Sequence, residues 1–346
     1  MAAHRLTEAM RLYGLAVRRQ PTWAEGWWHL GTLSFETGRF TEASDAFLHF
    51  VKANRKEPGP GFGMLGLSDF HLKHYHRALA ALERGRELGL GTDPDFVHSV
   101  LYYDGILFNF FGQPEIALKR LALVAVQMAA ENPKEPEQAV LGNGDLLDAF
   151  GLAALRIPKL PSGLDAMKEP VVREAGHAQA LIALQDFVKA GAELKELVAL
   201  YPTEPGVHYM YGVYLLKEDP PLAIGQFRRE LQVSPSNVVA RIQLALEFLR
   251  LGEYNHGLKY AQEAVAQAPD NFIGHVACGR LWLGLGKTDL AVKQLRIAVK
   301  LAPGSPDAHF ALSEALSQAG LNAEAARERA AFKRLKALGN GAHQQH

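Results

Sequence analysis

Residues 271–303 read NFIGHVACGRLWLGLGKTDLAVKQLRIAVKLAP, and this stretch decides the fold. Gly279 falls where two helices must touch, Gly286 makes the turn between them, and Ala291, Leu295 and Ala298 form an i, i+4, i+7 seam on the second helix. The closing Pro303 follows Pro269, Pro235 and Pro202 at intervals of 34, 34 and 33 residues. A period that steady, with each proline ending a helical run, marks a tandem array of helical hairpins.

Composition agrees with a folded, water-facing chain. Of 346 residues 48% are apolar and 21% charged, and Lys plus Arg equals Asp plus Glu at 37 each. No global field therefore attracts nucleic acid or an anionic membrane, and nucleic-acid binding is not expected. No apolar run approaches the length of a membrane span. Cys278 is the only cysteine, so an intramolecular disulfide framework and a cysteine-based zinc site are both ruled out.

Working outward in repeats of 34, the same register reaches back to Pro21. The first complete repeat contains Trp27-x2-Leu30-Gly31, Gly38 at the turn, Phe40, and then Ala43-x3-Phe47. Here the sequence resembles the tetratricopeptide repeat, whose pattern is W-x2-L-G-x2-Y, A-x3-F and P. Ser34 replaces the Tyr and Arg55 the Pro. The resemblance recurs at Leu65-Gly66 with Ala78-x3-Leu82, at Gly105 with Ala117-x3-Leu121, and at Tyr211-Gly212 with Ala223-x3-Phe227. It implies an all-α solenoid: about eight stacked antiparallel hairpins wound as a superhelix.

Two irregularities interrupt the rhythm. Before Pro21 only a second helix is present, with Ala9, Tyr13 and Ala16 on its seam, so the chain reads as a processed or truncated form whose precursor supplies the matching first helix. Between residues 134 and 170 the register breaks. Leu141 to Leu155 reads as one helix with Gly151 at the close-contact position, and its partner is replaced by Ile157-Pro158-Lys159-Leu160-Pro161-Ser162-Gly163, an extended crossing. The expected organisation is an N-terminal stack over 1–133, a joint over 134–170, a C-terminal stack over 171–338 with a capping helix, and a frayed tail over 339–346.

The resemblance also implies where partners bind, because in this family the first helices line the concave face. The positions so implied carry Trp28, Phe35, Phe70, Tyr102, Phe110, Tyr209 and Phe310 as aromatic anchors, Arg280 as a cationic one, and Asn109 beside them. The Lys and Asn pair by which one branch of the family grips a terminal carboxylate is absent from every repeat. His49, His71, His74 and His76 lack the fixed spacing of a metal site and read as incidental, and Cys278 reads as a small buried hydrophobe. The basic residues Arg327, Arg329, Lys333, Arg334 and Lys336 read as a solvated capping face.

No P-loop, dinucleotide fingerprint, H-E-x-x-H or G-x-S-x-G is present. The expectation is a non-catalytic scaffold with no cofactor and no metal, holding a protein or peptide segment in an aromatic groove. The alternatives are an assembly module that makes a homo-oligomer through its N-terminal half repeat, and the regulatory part of an enzyme encoded elsewhere. The half repeat and single cysteine favour an exported protein whose signal is absent over a cytoplasmic one.

Overall fold

The computed structural model describes residues 2–343, and the side chains of residues 5–338. Among these the regular structure is nineteen α-helices and one 3-10 turn at Pro161–Gly163, without strands. The chain divides into two compact units, Met1–Ala199 and Leu200–His346.

The first unit opens with α1 (Ala2–Arg19) and continues with α2 (Ala24–Glu36), α3 (Phe40–Ala53), α4 (Gly59–His71), α5 (Tyr75–Leu88), α6 (Pro94–Phe110) and α7 (Pro114–Glu131). It closes with α8 (Pro136–Leu141), α9 (Gly144–Ala154), α10 (Glu169–Ala183) and α11 (Phe187–Leu200), whose last residue opens the second unit. That unit holds α12 (Val207–Glu218), α13 (Pro220–Val233), α14 (Val238–Arg250), α15 (Tyr254–Gln267), α16 (Phe272–Gly284), α17 (Thr288–Leu301), α18 (Pro306–Gln318) and α19 (Asn322–His343). The end expected to fray from residue 339 continues instead as helix to His343; residues 344–346 lie outside the described residues.

Local chemistry sets these helix limits. Prolines occupy the first turn of α4, α6, α7, α13 and α18, where the missing N–H would have had no partner. The side chains of Asn237, Asn271 and Ser305 cap α14, α16 and α18 by accepting backbone N–H groups. At the far ends one device recurs. A residue of positive φ donates its N–H three residues back and the next residue donates five back, as at Gly286 to Leu283 and Lys287 to Trp282.

The same left-handed turn follows α4, α9 and α10, but there Lys73, Arg156 and Gln185 occupy it at φ near 60°. A side chain in that region strains against its own carbonyl, a cost that exceeds the extra chain entropy of glycine. Lys73→Gly and Gln185→Gly are each expected to raise stability by about 0.5–1 kcal/mol, measured as a shift of the urea midpoint without a change in slope.

Packing follows the seam read from the sequence. Ala291, Leu295 and Ala298 are fully buried, and a Cβ on Gly279 would lie 2.5 Å from Leu295 Cγ. A second tie holds the loop before a hairpin to its first helix, six residues beyond a proline. The Trp27 indole N–H donates to the Pro21 carbonyl at 2.8 Å, and His208, His275 and His309 use Nε2 on Pro202, Pro269 and Pro303 at 2.9–3.0 Å. The Nδ1 atoms of these histidines meet the side chains of Gln226, Gln294 and Glu328 on the second helices at 2.5–2.7 Å. Each ring thus fastens the loop that precedes its hairpin to both helices of that hairpin.

The irregular stretch departs from its sequence reading in two ways. Leu141 is the last residue of α8 and the helix read over Leu141–Leu155 begins only at Gly144, because Asn143 turns its side chain to accept the Leu146 N–H and starts α9 afresh. The missing second helix is replaced by direct packing of α9 on α10. A Cβ on Gly151 would lie 1.8 Å from the Val172 carbonyl oxygen, and one on Gly176 1.9 Å from that of Leu147, so the two backbones touch through reciprocal glycines. Arg173 adds a two-pronged pair to Asp148 at 2.5 and 2.7 Å. The segment expected to join two stacks thus lies within the first unit, whose limit falls at Ala199.

Candidate partner-binding faces

In the first unit α2, α4 and α6 bring four of the expected anchors into one chain of touching rings. Phe35 meets His71 edge-on at 5.6 Å, His71 meets Phe70 at 6.0 Å, Phe70 meets Tyr103 at 4.5 Å, and Tyr103 meets Tyr102 at 5.4 Å. A branch runs from Phe70 through Tyr75 to Phe110 at 5.5 and 5.2 Å. Most contacts are edge-to-face, so the rings hold one another as a platform that is half-buried except at the exposed His71. Tyr103 and Tyr75 were absent from the anchors read in sequence, yet they carry the links between them.

Burial sets the charge state of this platform. It lowers the pKa of His71 and raises those of Tyr102 and Tyr103, with nearby Asp145 adding to the rise for both tyrosines. These shifts favour the neutral imidazole of His71 and the protonated phenols of Tyr102 and Tyr103. His71 also stacks on Phe40 at 4.2 Å, His49 on Trp27 at 4.3 Å and His76 on Phe111 at 4.3 Å, so three of the four histidines serve as flat packing surfaces.

Trp28 stands apart from the ring chain. It packs on Phe47 and Phe50 and lines a separate cleft of about 610 Å³ with His29, Asn54, Arg55 and Pro60. Asn109, expected on the open face, is only 3% exposed because the chain's own residues 157–159 cover it: its amide donates to the Ile157 and Lys159 carbonyls at 2.7 and 3.3 Å.

In the second unit the expected anchors separate. Tyr209 is 8% exposed and its ring packs on Phe227, so it belongs to the core of α12 and α13 and is not offered to a partner. The cause lies one helix away. Buried Glu230 accepts the backbone N–H groups of Gly206 and Tyr209, drawing the start of α12 onto α13. Phe310 remains 41% exposed, with its ring 5.2 Å from Phe332 of α19.

Arg280 stands in a cleft of about 560 Å³ built by three successive first helices. Leu246, Leu249 and Arg250 come from α14, Arg280 and Leu283 from α16, and Glu314 and Gln318 from α18, with Tyr254 closing one end. Arg250 is paired with Glu247 at 3.0 Å, whereas Arg280 has no ion pair among the described residues. A free guanidinium on an aliphatic floor can grip a carboxylate or backbone carbonyls of a bound segment. Cys278 on the same helix is buried, which pushes its thiol up to about 11 and keeps it protonated.

These hairpins and their glycine-lined seams are those of an α-solenoid fold. Residues 279–342 match the family model of the tetratricopeptide repeat. Antiparallel helical hairpins of the same kind recur through both units. No match was found among curated proteins. Among solved structures it is similar to MamA from Desulfovibrio magneticus RS-1, at 20% identity and TM-score 0.45, over 49% of this chain and 97% of that one. It is also similar to YrrB, described as a TPR protein with an unusual peptide-binding site, at 17% identity and TM-score 0.41, over 49% of this chain and 92% of that one.

Proposed function

We propose that the protein is a non-catalytic scaffold that holds an extended segment of a partner protein against the first helices of its hairpins. The observation that carries this reading is the cleft of the second unit, where an unpaired Arg280 overlooks Leu246, Leu249 and Leu283. Such a surface suits a segment whose aliphatic side chain fills the floor while a carbonyl or carboxylate meets the guanidinium. Arginine is among the residues in which interface energy concentrates, and an aliphatic floor around it excludes water from the contact. Leu246→Asp with Arg280→Glu is therefore expected to weaken capture of the partner from native extract about thirty-fold, as the loss of a hot spot of about 2 kcal/mol implies. Capture unchanged by the pair, with helical content and melting preserved, would remove the cleft from the reading.

A second reading, assembly through α1, has its own support. Ala9, Tyr13 and Ala16 are only half-buried, whereas their counterparts Ala43 and Phe47 on α3 are fully buried under α2. Leu6, Leu12 and Leu15 are exposed on the same helix, Leu12 at 52%. A second copy that laid its α1 against this face would cover both. Light scattering over a range of concentrations is expected to show a dimer that Leu12→Asp abolishes; a monomer at every concentration would discard it.

A further inference from the structure

Leu246, Arg280 and Glu314 follow one another at intervals of 34 residues, so they hold the same position on three successive first helices, α14, α16 and α18. Arg250, Gly284 and Gln318, four residues on, repeat the spacing. All six line the cleft of the second unit. The repeat thus lays a row across it: an aliphatic side chain, a cation and an anion. Neither charge is answered within the chain. Arg280 is exposed and Glu314 half-buried, and the side chain of neither has a hydrogen bond or ion pair among the described residues.

The row also sets the pitch of what can lie along it. α14 packs on α16 and α16 on α18, and helices in contact lie about 8–10 Å apart. A polyproline II chain turns every third side chain to the same face about 9 Å further on, whereas a β-strand does so at every second residue, about 7 Å on. The polyproline II chain is the one that keeps step with the row. Tyr254 adds a surface suited to it. Its ring lies across Gly284, where a Cβ would stand 2.7 Å from the ring, and its hydroxyl has no partner among the described residues. Aromatic-lined grooves are where polyproline II segments dock. Such a segment leaves its own carbonyls unbonded, and the tyrosine hydroxyl can donate to one of them.

We propose that this cleft takes a polyproline II segment of a partner protein in which an aliphatic, an acidic and a basic residue follow at every third position. The aliphatic residue lies on Leu246, the acidic one meets Arg280 and the basic one meets Glu314. Each charge left open in the cleft then finds its opposite, and exchanging the two charges on the segment sets like against like at both places. The proposal rests on the segment-binding reading of the same cleft and adds the chemistry of the segment. Capture from extract that ignores the cleft removes both. Capture that depends on Leu246 and Arg280, without selection among the peptides below, removes this proposal alone.

The probes are fluorescein-labelled peptides, blocked at both ends, titrated into the full chain and followed by anisotropy. Leu-Pro-Pro-Glu-Pro-Pro-Arg and its reverse, Arg-Pro-Pro-Glu-Pro-Pro-Leu, cover the two chain directions, and each is paired with a version in which Glu and Arg are exchanged. In one direction the native chain is expected to bind the original about tenfold more tightly than the exchanged version. Arg280→Glu combined with Glu314→Arg should reverse that preference. Glycine in place of the prolines should weaken binding about tenfold, because the segment is no longer held in its bound conformation. Absence of binding, no preference in either direction, a preference that survives the charge swap, or equal binding of the glycine form overturns the proposal. If the swapped chain fails to fold, the native chain decides: Gln in place of the peptide's Glu, or of its Arg, should each weaken binding about threefold, and a peptide indifferent to either change overturns the proposal.

Discussion

Gly151→Ala is expected to lower the stability of the first unit by about 3–4 kcal/mol, the upper range for a substitution that forces atoms into a packed core. The added Cβ would stand 1.8 Å from the Val172 oxygen and 2.7 Å from its carbonyl carbon. Both are backbone atoms of α10, and no rotamer change can move them aside. Relief requires α9 and α10 to separate, which also pulls Arg173 from Asp148 and opens the contact that Gly176 makes with Leu147. Urea denaturation should show the loss as an earlier transition belonging to part of the chain, since stacked repeats unfold in blocks set by nearest-neighbour contacts. Gly225→Ala is the control: nothing lies within 4 Å of its Cβ position on α13, and helix propensity alone should stabilise by about 0.5–1 kcal/mol. Equal effects of the two substitutions would contradict the close approach of α9 and α10.

A second large effect concerns Asp104, on α6 at a position where other repeats place a core side chain. Burial raises its carboxyl from an ordinary value of 3.8 to about 6; Arg120 opposes the rise and Glu83 adds to it. Burial prevails because only one oxygen is satisfied. Oδ2 accepts from Arg120 Nε at 2.8 Å, while Oδ1 has no partner among the described residues. With the folded value raised, the stabilisation is complete below about pH 4, where both states hold the proton, and is lost as pH rises through about 6. At about 1.4 kcal/mol per pH unit the loss amounts to about 3 kcal/mol. Asp104→Asn keeps an acceptor for Arg120 and carries no charge. Relative to the native chain it should gain up to about 3 kcal/mol between pH 4 and pH 7, read from urea midpoints at both pH values. A constant difference across that range would show that Asp104 ionises freely.

The positions of these two residues indicate what the chain's pattern reveals. Gly151 was recognisable as a close-contact glycine, because its place in a helical period requires something to pass near it. Which element passes was not recognisable: the expected partner helix is absent, and α10, beyond a proline-rich loop, fills the role. Asn109 is a parallel case. Its position on an open helix face was legible, but the carbonyls that cover it lie 48 and 50 residues further along. The aromatic anchors divide in the same way. Phe35, Phe70, Tyr102 and Phe110 form one platform through Tyr103 and Tyr75, whereas Tyr209, at an equivalent repeat position, is drawn into the core by Glu230 on the neighbouring helix.

The sequence by itself determined the hairpin, its period of about 34 residues, its seam of Ala, Leu and Gly, and the face on which each first-helix residue lies. These are properties of a single helix turn or of two helices joined by a short link, and 3.6-residue periodicity with proline and glycine punctuation encodes them locally. Only the tertiary structure decided which side chains are covered and by what: the replacement of a helix by α10, residues 157–159 over Asn109, the ring chain through Tyr103, and Arg280 without an ion pair over its cleft. Coverage of a face depends on side chains brought in from other helices, and no repeat period records which of them arrive.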